Sequence, residues 1–143
     1  GGFVSRQIKE VRDKRGYAYS VYSYFAPMRQ AGPFQIGLQT KRSQAKDAIK
    51  VTREVLAGFL KAGPSEEELA AAKANLTGSF PLRLDSNKKI LDNVTMIAFY
   101  GMPLDYLDHY QAKVQAVTAE DVKQAFARRV RPADLITVTV AAD

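Results

Sequence analysis

Apolar residues recur at helical spacing over most of the chain. The first such stretch places Val4, Ile8 and Val11 on one face, with Ser5 as a candidate N-cap and Gly16 as a terminating residue. Further helical stretches with an apolar stripe are bounded by Gly, Pro or capping residues: 45–60, 69–80, 90–98, 107–117 and 122–130. The pattern therefore predicts a helix-rich chain.

Three segments have the composition or the alternation of β-strands. Residues 17–25 are rich in aromatic and β-branched side chains, and residues 34–40 alternate apolar with polar residues. The turn between them contains two prolines and a glycine, so we expect the two strands to form a hairpin. Residues 135–141 are the third predicted strand. Its one apolar face consists of Ile136, Val138 and Val140.

Capping residues set the predicted helix boundaries. Ser65 with Glu68, and Thr118 with Asp121, have the spacing of capping boxes. Ser86 is a predicted N-cap after Pro81 interrupts the preceding helix. The inward positions of the helix after that cap are predicted to be Ile90, Leu91, Val94, Ile97 and Ala98.

Together these elements predict an α+β fold, a two-layer sandwich with helices on one face of a small, mostly antiparallel sheet. A sheet of three short strands is small for the number of amphipathic helices that would have to pack on it. We therefore expect part of the sheet to be missing from residues 1–143 or to be supplied by a partner.

Composition narrows the chemistry that this chain can perform. The 143 residues suit one globular domain, and no apolar run reaches the length of about 20 residues that a membrane span needs. The absence of Cys excludes disulfides, thiolate zinc sites and cysteine nucleophiles. His109 is the single histidine, with Asp105 and Asp108 as its nearest acidic neighbours, so we expect no metal site here.

A net charge of +6 raises nucleic acid as a partner. The basic residues accompany amphipathic helices, where solvated Lys and Arg are the ordinary explanation. Tyrosines beside arginines could imitate an RNA-stacking sheet, but the spacing of glycines and aromatics in RNA-recognition motifs is absent. We therefore expect no nucleic-acid partner.

One segment suggests more specific chemistry. A helix that carries Arg12, a glycine turn and a strand that carries Tyr19 bring these two side chains to the same end of the domain. The guanidinium offers a fork of donors and the phenol offers one O–H, so together they could hold an extended peptide and stabilise an oxyanion. Surface arginines and strand tyrosines are common, so an ordinary structural role stays open.

The sequence closely resembles the pitrilysin/insulinase-like zinc metallopeptidases, including their processing-peptidase-like bacterial branch. The run at 12–21 is similar to the helix-to-strand element of the C-terminal, metal-free domain of that family. Similar motifs follow in order, with G-P-S-E-E-E-L at 63–69, Y-G-M-P-L-D-Y at 100–106 and A-V-T-A-E-D-V at 116–122. The resemblance thus covers essentially the whole chain.

The resemblance implies a clamshell of homologous α+β domains around a chamber. One domain carries an H-x-x-E-H site whose zinc activates water, and the opposing domain supplies an Arg and a Tyr seven residues apart. By motif these two residues are Arg12 and Tyr19, which would bind the substrate backbone and stabilise the tetrahedral intermediate. Tyr17 stands where the family often has leucine, so it is a second substrate-binding candidate. The two phenols would share one face of an extended strand.

The resemblance also implies what this chain lacks. H-x-x-E-H is absent from it, so zinc is expected in a separate homologous domain or subunit, and residues 1–143 alone are expected to be inactive. We interpret them as one C-terminal domain, truncated at its N-terminal strands, that closes the chamber of a bacterial metalloendopeptidase. A non-catalytic structural or assembly domain of the same fold is the alternative.

The expected partners are a peptide substrate, the zinc-bearing domain and possible further copies of this chain. Self-association would use the unpaired sheet edge that a truncated sheet leaves exposed. The compartment is either the bacterial periplasm or the cytoplasm, and the absence of Cys is compatible with both. We favour the periplasm.

Overall fold

The computed structural model describes residues 2–140, and within them the chain is helix-rich with a small sheet. The first helix, α1, continues without a break into a π-helical segment, Ile8–Asp13. The helices are α1 (Gly2–Gln7), α2 (Ala45–Ala62), α3 (Glu66–Gly78), α4 (Asn87–Tyr100), α5 (Tyr106–Ala116) and α6 (Ala119–Arg129). The strands are β1 (Ser20–Phe25) and β2 (Phe34–Gln39). Short 3₁₀ turns lie at Arg42–Gln44, Pro81–Arg83 and Pro132–Asp134.

The two strands form the predicted antiparallel hairpin. In its register Val21 lies opposite Leu38 and Phe25 lies opposite Phe34. These residues face the helices, whereas Tyr22 projects from the other face, as the alternation of a strand requires. The observed architecture is the predicted α+β fold, with the helices packed on one face of the hairpin.

Two hydrophobic clusters hold the layers together, and α2 contributes to both. In the larger cluster Phe59 of α2 packs against Phe3 and Phe126, with ring centroids 5.2 and 4.9 Å apart. The smaller cluster contains Val11, Ala18 and Val51. Full burial of an aliphatic or aromatic side chain stabilises a fold by about 1.5–3 kcal/mol. The smaller cluster joins the π-helical segment to the chain just before β1.

The predicted capping boxes are present at α3 and α6. Ser65 Oγ accepts the Glu68 N–H at 3.2 Å, while the Glu68 carboxylate accepts the Ser65 N–H at 2.8 Å. Thr118 and Asp121 make the same reciprocal pair. Ser86 caps α4, as predicted. Ser5 is not an N-cap, because α1 already begins at Gly2 and Ser5 lies inside it.

The third predicted strand is absent from the sheet. Residues 135–140 form no helix or strand and have no ladder partner in the described range, and residue 141 lies outside that range. Arg53 on α2 holds this segment instead, donating to the Leu135 carbonyl at 3.5 Å and to Thr137 Oγ1 at 2.8 Å. The first strand also begins later than predicted, at Ser20. Alternating apolar and polar residues predicted the third strand, but a strand joins a sheet only where another strand lies beside it.

The apolar stripe of α4 is largely uncovered, contrary to the prediction that it faces inward. Ile97 is buried, whereas Ile90, Leu91, Val94 and Ala98 are exposed. No element between residues 2 and 140 lies over that part of the helix closely enough to bury it. Among the helices of these residues, none is both long and apolar enough to cross a membrane.

Candidate functional site

The candidate site begins on the π-helical segment. Its wider turn is seen in the hydrogen bond from the Lys14 N–H to the Lys9 carbonyl, five residues back, at 3.0 Å. Phe3, Gln7 and Val11 are buried at intervals of four residues on the inner face of this continuous helix. Arg12 follows the last of them and is exposed. Single π-turns occur frequently at functional sites.

A tight turn joins this segment to the first strand. Gly16 adopts φ +61°, a left-handed conformation that costs other L-residues about 1–2 kcal/mol. Its N–H donates to the Arg12 carbonyl at 2.9 Å, and the Tyr17 N–H donates to the Val11 carbonyl at 3.0 Å. These two bonds fix the backbone at Arg12 relative to the start of the next segment.

Tyr19 is held on the other side of this turn. Its N–H donates to the Gln39 carbonyl at 2.8 Å, which ties it to the end of β2. Val11 and Ala18 belong to one buried cluster. Arg12 directly follows Val11 in the chain, and Tyr19 directly follows Ala18. The structure thus places Arg12 and Tyr19 at the same end of the domain. The Tyr19 side chain is 67% exposed.

Tyr17 differs from Tyr19 in its surroundings. It precedes β1 and packs, half-buried, against the cluster formed by Val11, Ala18 and Val51. β1 begins only at Ser20, after both tyrosines, so the extended strand from which their shared face was predicted is not present at these residues. Tyr19 is more exposed to solvent than Tyr17.

The charges around Arg12 leave its guanidinium available. Glu10 accepts from Lys14 Nζ at 2.7 Å and from Arg15 at 2.9 Å. The hydrogen bonds from Lys14 and then Arg15 hold the pKa of Glu10 below its usual value. In the region that the structure describes, Arg12 makes no side-chain hydrogen bond or ion pair. It can donate to an incoming carbonyl without first breaking an internal contact.

Two features of this region have no signal in the sequence. The π-helical turn is one, since its apolar spacing is compatible with an ordinary α-helix. The other is Gln7, which is fully buried although its side-chain amide has no hydrogen-bond partner among the described residues. Glutamine is mostly a surface residue, so nothing in its sequence context indicates burial.

The described residues do not fit a zinc ion. His109 Nε2 lies 3.1 Å from Asp105 Oδ2 on the exposed side of α5, which is one contact between two candidate ligands. Nowhere in residues 2–140 do three His, Cys, Asp or Glu side chains converge. A zinc site needs at least three protein ligands in convergent geometry.

Comparison with known proteins shows the family. A sequence model described as the peptidase M16 inactive domain matches residues 1–76. An uncharacterized zinc protease of Streptomyces coelicolor is 33% identical over 130 residues, which cover 91% of this chain and 28% of that protein. A non-peptidase homolog, YmxG of Helicobacter pylori, is 30% identical over 125 residues, or 85% of this chain and 28% of its own length. The chain thus spans just over a quarter of these relatives.

Solved structures agree in fold. The crystal structure of a peptidase M16 inactive domain from Pseudomonas fluorescens matches with a TM-score of 0.84 and 40% identity, over 92% of this chain and 31% of that one. The periplasmic protease PqqL of Escherichia coli shares the fold, with a TM-score of 0.71 and 21% identity over 86% of this chain and 14% of its own. The resemblance seen in the sequence is confirmed, and the chain belongs to the family of the peptidase M16 inactive domain.

Proposed function

We propose that this chain is the metal-free C-terminal domain of a zinc metalloendopeptidase and that Arg12 and Tyr19 act on the bound peptide. The observation that carries the proposal is their placement. Both side chains are exposed, and both backbones are fixed around the Gly16 turn beside one buried cluster. The two backbones therefore need little reorganisation when a substrate arrives.

The two side chains have complementary donor chemistry. Arg12 presents a planar fork of N–H groups that suits a peptide carbonyl, and Tyr19 presents a single O–H. As water adds to the scissile carbonyl, its oxygen becomes an oxyanion that accepts stronger hydrogen bonds than the ground-state carbonyl does. Donors aimed at that oxygen therefore stabilise the tetrahedral intermediate more than the substrate.

Tyr17 is a secondary candidate for substrate binding. Its half-buried ring packs on the cluster that supports Arg12 and Tyr19, so its first contribution is to hold that region in place. A direct contact with substrate would use its remaining exposed surface. Tyr17→Phe should therefore cost less activity than Tyr19→Phe.

The rest of the proposed enzyme lies outside this chain. Because the described residues do not fit zinc, the metal belongs to a separate domain with an H-x-x-E-H motif, and this chain closes the chamber over that domain. Residues 1–143 alone are then inactive. The zinc-protease relative of Streptomyces coelicolor, of which the match covers 28%, supports this division of labour.

Three narrower points stay predictions. An extended peptide is the proposed substrate class, and self-association of the isolated chain would use the free edge of β2. The bacterial periplasm is the favoured compartment. PqqL is described as periplasmic, but at 21% identity its likeness bears on the fold alone.

A non-catalytic assembly domain is the second candidate function. The observation in its favour is that a Helicobacter pylori relative with 30% identity is described as a non-peptidase homolog. In that case the fold and its packing surfaces would matter, and the two exposed donors would not. The catalytic and assembly roles therefore predict different effects on peptide hydrolysis when Arg12 and Tyr19 are replaced.

The discriminating experiment measures peptide hydrolysis by the full polypeptide, or by this chain combined with its zinc-bearing partner. Arg12→Ala and Tyr19→Phe should each lower kcat by about 10²–10³-fold, the usual effect of removing one oxyanion donor. Arg15→Ala and Tyr24→Phe are matched controls, since Arg15 pairs with Glu10 and Tyr24 lies on the outer sheet face. If all four variants retain wild-type kcat/KM, the assembly role replaces the catalytic one.

A further inference from the structure

The outer face of the hairpin carries two neighbouring tyrosine rings that are open to solvent. The rings of Tyr22 and Tyr24 have centroids 6.1 Å apart and planes 24° from parallel. Their side chains are 52% and 47% exposed. The Tyr24 hydroxyl donates to Gln35 Oε1 on β2, which holds the Tyr24 ring beside Tyr22. Contiguous exposed apolar surface on a folded protein commonly marks a site of contact with another molecule.

Gly37 lets the Tyr22 ring lie across β2. The two residues are opposite each other in the hairpin register. The tip of the Tyr22 ring occupies the space that a Cβ on Gly37 would need, so the ring rests against the glycine backbone. One side of the ring is therefore held by the sheet while the rest of it is exposed. A side chain that is already restricted in this way loses less entropy when a ligand packs on it.

A β-bulge directs Tyr19 away from the helix layer as well. Ser20 is the register partner of Gln39, and the Tyr19 N–H also donates to the Gln39 carbonyl, so two consecutive residues oppose one. Strict alternation would place Tyr19 with Val21 against the helices, yet Tyr19 is 67% exposed and Val21 is 7% exposed. Three residues of strand separate Tyr19 from Tyr22 by about 10 Å, a distance that three residues of an extended peptide also span.

We propose that Tyr22 is a specificity-determining residue, whose exposed ring surface receives an aromatic side chain of the peptide that reacts at Arg12 and Tyr19. The inference rests on the proposed function. It goes beyond that function by naming the class of side chain that this domain selects. The selected side chain lies about three residues along the peptide from the scissile bond.

The chemistry around Tyr22 favours a neutral aromatic occupant. Two aromatic rings in contact attract each other more than their buried area alone predicts. A tyrosine ring can also accept a cation. However, the groove that Tyr22 borders has Arg42 and Arg53 as its charged lining residues. A lysine or arginine of the peptide would meet charge of its own sign there, so a phenylalanine or tyrosine side chain fits better.

Peptide binding to the full polypeptide tests this assignment. The probes are three ten-residue peptides of alanine and glutamine that differ at one central position, which holds phenylalanine, alanine or lysine. Zinc is first removed with a chelator so that no probe is cleaved, and Kd is measured by isothermal titration calorimetry. We expect the wild type to bind the phenylalanine peptide about three- to tenfold more tightly than the alanine peptide. The lysine peptide should bind no more tightly than the alanine peptide.

Four variants test whether the preference arises at Tyr22. Tyr22→Ala should bind the phenylalanine and alanine peptides equally, whereas Tyr22→Phe keeps the ring and should keep the preference. Gly37→Ala displaces the ring and should reduce the preference. Leu91→Ala is the matched control, because it also removes an exposed apolar side chain, 63% exposed on α4, and should leave the preference unchanged.

Three results would overturn the proposal. They are a preference that survives in Tyr22→Ala, a wild type that binds the phenylalanine and alanine peptides equally, and a loss of preference in Leu91→Ala. A lysine peptide that binds as tightly as the phenylalanine peptide would replace the aromatic occupant with a cationic one. Binding needs no hydrolysis, so these results are independent of the kcat of the Arg12 and Tyr19 variants, which tests the proposed function.

Discussion

Replacing Gly16 with alanine tests the turn that positions the candidate site. At φ +61° an alanine costs about 1–2 kcal/mol, of which the lower entropy of the unfolded chain offsets about 0.4–1 kcal/mol. An added Cβ would meet no atom within 4 Å, so backbone strain is the whole penalty. The expected net loss is about 1 kcal/mol, or roughly 3–4 °C in Tm for a domain of this size.

Gly58 supplies the matched control. It lies inside α2, and a Cβ there would also meet nothing within 4 Å. Because its helical backbone suits alanine, Gly58→Ala should raise the unfolding free energy by about 0.5–1 kcal/mol. Thermal unfolding followed by circular dichroism should thus move Tm in opposite directions for the two variants. A Gly16→Ala variant as stable as the wild type, beside a stabilised Gly58→Ala, would refute the assigned left-handed turn.

Three further predictions concern stability. The hydrogen bonds from Arg6 hold the pKa of Glu68 below its usual value, so the ionised Glu68 stabilises the folded state. This stabilisation is complete above the unfolded-state pKa and is lost as the pH falls through the folded-state pKa. Urea titrations at different pH values should therefore show a smaller loss of stability in acid for Glu68→Gln than for the wild type. Gln7→Met should raise the unfolding free energy by about 1–3 kcal/mol in the same titrations, and a loss would show that the buried amide is satisfied. Gly37→Ala should change Tm little, because the new Cβ would lie 2.2 Å from Cζ at the far end of the exposed Tyr22 side chain, which can move aside; a large loss of Tm would show that this ring is held in place.

The sequence correctly predicted the elements that depend only on residues close together in the chain. Ser65 and Thr118 mark helix starts because a capping box acts over four residues, and both boxes form as expected. The hairpin follows from alternation on either side of a Pro- and Gly-containing turn, and its register places Val21 and Leu38 on the helix side. Such interactions need no knowledge of the rest of the fold.

Elements that depend on distant neighbours were predicted less well. Ile136 and Val138 alternate as in a strand, yet no ladder partner reaches them in the described range. Leu91 and Val94 form an apolar stripe on α4, yet no element covers them. Periodicity tells which side chains share a face but not whether another element lies against that face.

The candidate site was predicted in part. The spacing of Arg12 and Tyr19 around a glycine turn indicated their common location, and the structure places them there. The distinction between Tyr17 and Tyr19 required the observed packing, in which Tyr17 lies half-buried on the cluster of Val11, Ala18 and Val51 while Tyr19 is exposed. Family resemblance gave these residues their proposed roles, which spacing alone did not.

The central claim is that Arg12 and Tyr19 act together on the reacting peptide. Its most direct test is the kcat/KM for hydrolysis of a peptide by the complete enzyme carrying Arg12→Ala, Tyr19→Phe or both. We predict that each single variant loses activity and that the double variant loses less than the product of the two single losses, since both donors serve one oxyanion. A double variant with wild-type kcat/KM would contradict the claim.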